Sequence, residues 1–163
     1  MRRAIRSPLL AIALVILFAG TALATSPTSF APDSPNPLAR GTLSGSVHYN
    51  TGEVKFQTKG PVDFVTQRIL VGPSGSSGWH SHPGVVLVTV ASGTVIRYEE
   101  DCSSVVYGAG SAAGSAFTES GDHVGLVRNA SPTARSVIYA TYLVPAGTTA
   151  LRIDKPNPGC PVN

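Results

Sequence analysis

Glycine divides most of this chain into short runs of β-branched and aromatic residues. Such runs, bounded by turn residues, predict β-strands. No apolar run after residue 24 keeps a 3.6-residue period, so almost no helix is expected there. A sandwich, a jelly roll and a barrel all satisfy this pattern. The predicted strands span residues 62–71, 85–91, 94–100, 115–118, 123–129 and 135–144, with shorter ones near 44–49 and 151–153.

The N-terminus has the pattern of a secretory signal peptide. Arg2, Arg3 and Arg6 precede an apolar segment at residues 9–19, and Ala-Leu-Ala at 22–24 provides a small-x-small cleavage site. The apolar segment is too short for a comfortable membrane span. We therefore predict a signal peptide at 1–24, cleavage after Ala24, and a secreted or extracytoplasmic mature protein without a membrane span.

Composition divides the remaining chain into three parts. Residues 25–40 carry four prolines among Ser, Thr and Ala, which predicts a disordered linker. Residues 41–154 form the predicted domain, and 155–163 form a Pro-rich tail. Cys102 and Cys160 are the two cysteines, and in an exported protein such a pair predicts a disulfide. The bridge would tie the tail to the domain, typically adding ~2–4 kcal/mol of stability.

The charge balance excludes two classes of partner. Three of the 12 Lys and Arg residues lie in the predicted signal peptide, which leaves nine basic residues against nine acidic ones. The mature chain is thus formally neutral and has no basic patch for nucleic acid or for an anionic membrane surface.

The segment His80-Ser81-His82 predicts part of a metal site. Side chains at i and i+2 of a strand share a face, so the two imidazoles can converge on one ion. In the alternative interpretation, the two histidines lie at a rim and bond to backbone groups. The sequence contains no G-x-S-x-G nucleophile elbow and no phosphate-binding glycine loop after a strand.

Over residues 62–147 the chain resembles the cupin superfamily. His80 and His82 match the histidine pair of the first cupin motif, and Gly93 matches its closing glycine, while Val86 stands where that motif has a Glu ligand. Asn129 matches the end of the second motif, whose His position is taken by Gly125. The resemblance implies a double-sheet jelly-roll β-barrel with an interior site, and it makes a homodimer plausible.

His123 is the candidate for the third ligand. It has the same strand parity as Gly125 and is displaced by about 6–7 Å, so it could reach the histidine pair. The alternative is a turn cap beside Asp122. Since Val86 replaces the carboxylate ligand, a divalent transition metal here is expected to be Zn, Ni or Cu before Fe or Mn.

These residues together predict a cavity with a bound metal, a small ligand, or both. The expected lining comprises Trp79, Val86, Tyr98, Phe117 and Gly125, although packing roles are the alternative for the aromatic residues. The predicted function is an exported single-domain cupin that binds metal or ligand inside the barrel. A metal-dependent enzyme of the dioxygenase or isomerase type is one alternative. The other is a metal-free envelope module that binds a ligand or another protein.

Overall fold

A computed structural model describes residues 23–163. Residues 1–22, with most of the predicted signal peptide, lie outside this part. The described chain contains no helix, which confirms the all-β prediction, and hence no helix able to cross a membrane. Its strands are β1 (Thr28–Pro32), β2 (Ala39–Leu43), β3 (His48–Thr51), β4 (Val54–Gln57), β5 (Val62–Ser76), β6 (His80–Ser81), β7 (Val85–Ser92), β8 (Thr94–Glu99), β9 (Ser104–Gly108), β10 (Ala116–Glu119), β11 (Gly125–Asn129), β12 (Ser136–Pro145) and β13 (Ile153–Asp154).

Eight of these strands pair in a nested order. β5 pairs with β12, β6 with β11, β7 with β10, and β8 with β9, all antiparallel. Further pairing of β12 with β7 and of β11 with β8 produces two four-stranded layers. One layer has the order β5-β12-β7-β10 and the other has the order β6-β11-β8-β9. Nested antiparallel pairs distributed over two layers define a jelly roll, as predicted.

Gly93 lets the chain cross from one layer to the other between β7 and β8. Its φ angle is 74°, in the left-handed region that favours glycine. A Cβ at this position would lie 2.4 Å from the Ser136 Oγ. A side chain is therefore excluded here on two grounds, and the tight connection requires glycine.

The core lies between the two layers and follows the two-residue period of the strands. Along β7, Val86, Val88 and Val90 are buried, whereas Val85 and Leu87 are exposed. The same alternation runs along β12. A slip of one residue would expose the buried set, so this pattern fixes the register of both strands. The inward positions of β5, β7 and β12 form the walls of the interior.

The structure differs from the prediction of a disordered linker at residues 25–40. β1 and β2 both pair with β5 and cover the edge that β12 leaves open. Arg40 in β2 binds Asp63 in β5 at 2.6 Å. Proline is compatible with edge strands and strand ends, and Pro32 is the last residue of β1. The prolines therefore delimit an edge strand instead of preventing one.

The C-terminal tail packs on the outside of the β6-β11-β8-β9 layer. Trp79 and Leu126, which are fully buried, form a small second core there with Cys160 and Val162 of the tail. The Trp79 indole N–H donates to the Val162 carbonyl at 3.1 Å. The predicted Cys102–Cys160 disulfide is confirmed. The tail is thus an ordered part of the domain.

Candidate metal centre and cavity

Two histidines and one glutamate converge inside the barrel. His80 lies on β6 opposite Gly125, and His82 follows directly after the strand. Glu119 is the last residue of β10. All three side chains are buried, and one donor atom from each lies within 4.8 Å of the other two. Two imidazole nitrogens and one carboxylate oxygen form a donor set typical of transition-metal sites.

Backbone carbonyls orient both imidazoles toward the shared point. Nδ1 of His80 lies 2.9 Å from the Gly78 carbonyl, and Nδ1 of His82 lies 2.7 Å from the Leu151 carbonyl. Because a carbonyl can only accept, each Nδ1 carries the hydrogen. The Nε2 lone pair of each neutral ring is therefore available for coordination. Metal-binding histidines are commonly held by a partner of this kind.

One contact within the cluster needs a proton or a metal ion to stabilise it. Nε2 of His82 lies 3.0 Å from Oε2 of Glu119. With Nδ1 protonated, a neutral His82 presents a lone pair at Nε2, and an ionised carboxylate presents only lone pairs. Two acceptors at this distance repel each other. A proton on either group, or a metal ion held by His82 and Glu119 together, would remove this repulsion.

The surroundings favour an ionised Glu119 and an unprotonated His80. Burial raises the pKa of Glu119, whereas the His82 hydrogen bond and the Arg97 charge lower it, and the net shift is downward. Burial is the main cause that lowers the pKa of His80 to about 4, with a contribution from the Arg152 charge. Near neutral pH both groups are thus in the protonation state that binds metal.

Arg97 lies beside the second oxygen of Glu119. Its Nε is 3.7 Å from Oε1, and its guanidinium also contacts Glu99. The same guanidinium lies over the Phe117 ring, 5.8 Å from the centroid. Arg97 therefore balances the carboxylate charge on the side away from His82.

A cavity of about 340 Å³ adjoins the cluster. Its walls are mainly the inward apolar side chains of β5, β7 and β12, and the N-terminal segment contributes Pro27, Phe30 and Pro32. The His80, His82 and Glu119 cluster forms part of the polar lining. The remaining lining residues are Gln67, Ile69, His80, His82, Val86, Val88, Glu119, Val127, Ile138, Ala140, Tyr142, Thr149, Leu151 and Arg152.

Arg152 and Tyr142 are two of the polar lining side chains outside the metal cluster. Arg152 donates from Nε to Asp154 at 2.5 Å, while its Nη2 is buried and has no hydrogen-bond partner among residues 23–163. Tyr142 packs edge-on against the His82 ring, with 5.5 Å between ring centroids. Burial, reinforced by the Glu119 charge, raises the pKa of Tyr142, so its phenol remains a neutral donor.

His123 is not a member of the cluster, so its prediction as third ligand was wrong. It is exposed, and its backbone N–H donates to the Ser120 carbonyl in the turn between β10 and β11. The strand parity that was extended back from Gly125 does not hold across this turn. Glu119 supplies the third donor instead.

Of the five residues predicted to line the cavity, Val86 and Gly125 face the interior site. Val86 lines the cavity, as predicted. A Cβ on Gly125 would lie 4.0 Å from the Glu119 Oε1, so position 125 faces the cluster as the motif implies.

The three aromatic residues do not line the cavity. Trp79 is on the outer side of its layer, under the tail, and Tyr98 packs against the same outer cluster. Phe117 belongs to the main core, with its ring centroid 4.7 Å from that of Tyr107. Trp79 has the opposite parity to its neighbour His80 and therefore faces away from the site.

Sequence reasoning missed Glu119, which lies just beyond the end of the strand predicted at 115–118. Strand β10 extends one residue beyond the predicted 115–118, and this residue brings Glu119 inside. Phe117 provided a signal, because Glu119 has the same parity as this buried aromatic residue. The presence of a carboxylate also removes the reason for expecting Zn, Ni or Cu before Fe or Mn.

No protein-family model matches this sequence, and no curated protein matches it. Similar solved structures include a cupin-like protein from Thermotoga maritima, with a TM-score of 0.48 and 16% identity, covering 58% of this chain and 65% of that one. A Klebsiella pneumoniae protein with a double-stranded β-helix domain has a TM-score of 0.46 and 16% identity, covering 77% and 90%. An oxalate oxidase in complex with glycolate has a TM-score of 0.41 and 17% identity, covering 48% and 41%.

Cupins are thus among the solved structures to which this chain is similar. At such identities the likeness concerns the fold alone.

Proposed function

We propose that this protein binds a divalent transition metal through Nε2 of His80, Nε2 of His82 and the Glu119 carboxylate, and that the adjoining cavity takes a small ligand. The contact between His82 and Glu119 carries the proposal. Two buried acceptors 3.0 Å apart, with the other imidazole nitrogen committed to the Leu151 carbonyl, are the arrangement that a bridging cation stabilises.

The donor set limits the choice of metal. Two histidines with one carboxylate occur in catalytic zinc sites and in non-haem iron(II) sites, and both keep open positions. The metal would supply a Lewis acid at the end of the cavity. Here His80 and His82 are the neutral donors, and Glu119 contributes the single negative charge. The Arg97 guanidinium lies 3.7 Å from the second oxygen of Glu119 and offsets part of its charge.

We also propose export, with a mature chain that starts at Thr25. The disulfide is consistent with an oxidising compartment. The Thr25 backbone N–H donates to the Lys155 carbonyl at 2.9 Å, and its hydroxyl accepts the Trp79 backbone N–H at 2.6 Å. The folded domain thus engages Thr25, the first residue after the proposed cleavage point, and it also pairs Ala24, the residue before that point, with Pro156. The intact mass of the secreted protein tests both the cleavage site and the bridge.

Calorimetric titration with zinc and the visible spectrum of added cobalt(II) test the metal proposal. The untagged exported protein is first stripped with a chelator. His80→Gln, His82→Gln and Glu119→Gln should each weaken zinc binding by well over about ten-fold, because each removes a direct ligand. His48→Ala and His123→Ala are matched controls, since both histidines are exposed, and they should bind zinc like wild type. Equal affinity in Glu119→Gln and wild type would refute the site.

The second candidate is a metal-free binding module in which a proton occupies the same contact. His82 would then be an imidazolium paired with Glu119. Imidazole ¹⁵N chemical shifts distinguish the two states directly. In the metal-free module, stripped protein shows a doubly protonated His82 and added zinc leaves its signals unchanged, whereas the metal site predicts that zinc shifts Nε2 of both histidines.

A further inference from the structure

We propose that the cavity binds a small monocarboxylate, whose carboxylate group pairs with Arg152 and whose apolar body lies against the aliphatic walls. This inference rests on the proposed function, because it names the ligand class for the cavity beside the metal. Its evidence comes from different side chains. None of them is a proposed metal ligand.

Arg152 has one N–H donor group that no acceptor of the described residues satisfies. Its Nε is engaged by Asp154, but its Nη2 is buried and has no hydrogen-bond partner in residues 23–163. A buried charged donor without an acceptor is costly, so such groups are rare in folded proteins. Arg152 lines the cavity, and a ligand there can supply the missing acceptor.

The guanidinium determines the kind of acceptor. Its planar fork matches a carboxylate, which can receive two parallel N–H donors. Glu119, the carboxylate of the cavity wall, is already engaged by His82 and lies beside Arg97, so it leaves the Arg152 donor unsatisfied. Asp154 already offsets part of the Arg152 charge. A ligand with a single negative charge therefore suffices to balance what remains, which favours a monocarboxylate over a dicarboxylate.

Tyr142 provides a second donor in the same cavity. Its side chain is buried and lines the cavity, and its phenol O–H is a hydrogen-bond donor. A carboxylate oxygen can accept from this hydroxyl, whereas the Arg152 charge would repel a cationic ligand. Arg152 and Tyr142 together therefore favour an anion over a cation or a neutral amine.

The rest of the cavity selects an apolar body of limited size. Ile69, Val88 and Ile138 are buried core residues whose side chains line it. A volume of about 340 Å³ is near the lower end of the range for small-molecule sites, about 300–1,000 Å³. A single aromatic ring or a short alkyl chain fits this range, whereas a nucleotide or a long acyl chain exceeds it.

Paired probes that differ only in the carboxylate test the proposal. Benzoate is compared with benzamide, and hexanoate with hexanamide, by calorimetric titration of the exported protein. Each titration is made on zinc-loaded and on chelator-stripped protein. The variants are Arg152→Gln and, as a matched control on an exposed arginine, Arg135→Gln.

We expect at least one acid to bind about ten- to a hundred-fold more tightly than its amide, as charge-assisted hydrogen bonds allow. Arg152→Gln should remove this preference, and Arg135→Gln should retain it. Equal binding of acid and amide by wild type, or an unchanged preference in Arg152→Gln, overturns the proposal, as does the failure of both acids to bind. If Arg152→Gln does not fold, the comparison of acid with amide binding by the wild-type protein still tests the proposal.

The two proposals fail in different ways. Zinc that does not bind, together with an acid preference lost in Arg152→Gln, refutes the metal site and supports the carboxylate site. Zinc that binds to wild type without any acid preference refutes the carboxylate site alone.

Discussion

Glu119 lies directly opposite Val86 where β10 pairs with β7. Side chains at directly opposed positions share a face and have Cβ atoms about 4.5–5.5 Å apart. Val86 is the position at which the cupin motif has its carboxylate ligand. The carboxylate therefore enters the same space from the adjacent strand, and the inward row continues to Tyr142, the partner of Val86 on β12.

A swap of these two residues should preserve a metal site. Glu119→Val alone should weaken zinc binding by at least about ten-fold, because it removes the only anionic ligand. Adding Val86→Glu should recover much of the loss, since its carboxylate would start from the opposed position in the same row. Zinc titration of wild type, the single variant and the double variant gives the comparison. If the double variant folds but binds no better than Glu119→Val, Val86 does not face the metal.

Gly125→His should strengthen zinc binding by adding a nitrogen donor. The new Cβ would meet the Tyr98 carbonyl oxygen at 3.4 Å and the Arg97 guanidinium at 3.9 Å, which are ordinary contact distances. The imidazole must displace the Arg97 guanidinium. We therefore expect zinc affinity to rise by about ten-fold, which is less than an added ligand would give if it displaced no other group. Calorimetry on folded protein measures it. An affinity equal to that of wild type would mean that the strand at 125 cannot direct a side chain to the site.

Asp63 should make the fold sensitive to acid. Hydrogen bonds from the Thr42 and Arg40 side chains and from the Gly147 backbone N–H lower the pKa of Asp63 to about 2. The folded pKa lies below the ordinary value, so its stabilising contribution is present above about pH 4 and is lost as the pH falls toward 2. Asp63→Asn should lower Tm by several degrees at pH 7 and reduce the fall in Tm between pH 4 and 2. Asp33→Asn is the control, since Asp33 pairs with Arg68 at the surface.

Loss of the disulfide should loosen the tail and leave the barrel folded. The bridge spans 58 residues, and removal through Cys102→Ser with Cys160→Ser should cost about 2–4 kcal/mol of unfolding free energy. Trp79, the sole tryptophan, lies under the tail, so its emission should shift to the red as water reaches the indole. Guanidinium unfolding followed by fluorescence measures both effects. An unchanged emission maximum in the double variant would show that the tail remains in place without the bridge.

The long central strands were predictable because their burial follows local sequence. Residues 135–144 were predicted and β12 spans Ser136–Pro145, within one residue at each end. β1 and β2 were missed because their stabilising partner, β5, is remote in sequence and their prolines indicate a linker. β6 has two residues, too few for any periodic pattern.

The site was predictable only in part for similar reasons. The histidine pair is adjacent in sequence, so its spacing reveals it. The third donor depends on where β10 ends, and one residue decided whether Glu119 was inside or outside. Arg152 lies in the short strand predicted near 151–153, but β13 begins only at Ile153, so its position in the cavity depends on tertiary packing.

The hydrogen bond between His82 and the Leu151 carbonyl joins residues 69 positions apart in sequence. Contacts of such long range form late in folding, because the entropy of closing the intervening loop must be overcome first. A metal ion would therefore meet an oriented His82 only after β12 has closed the barrel. We expect bound metal to leave the refolding rate almost unchanged and to slow unfolding, so that its effect is to prolong the lifetime of the native state.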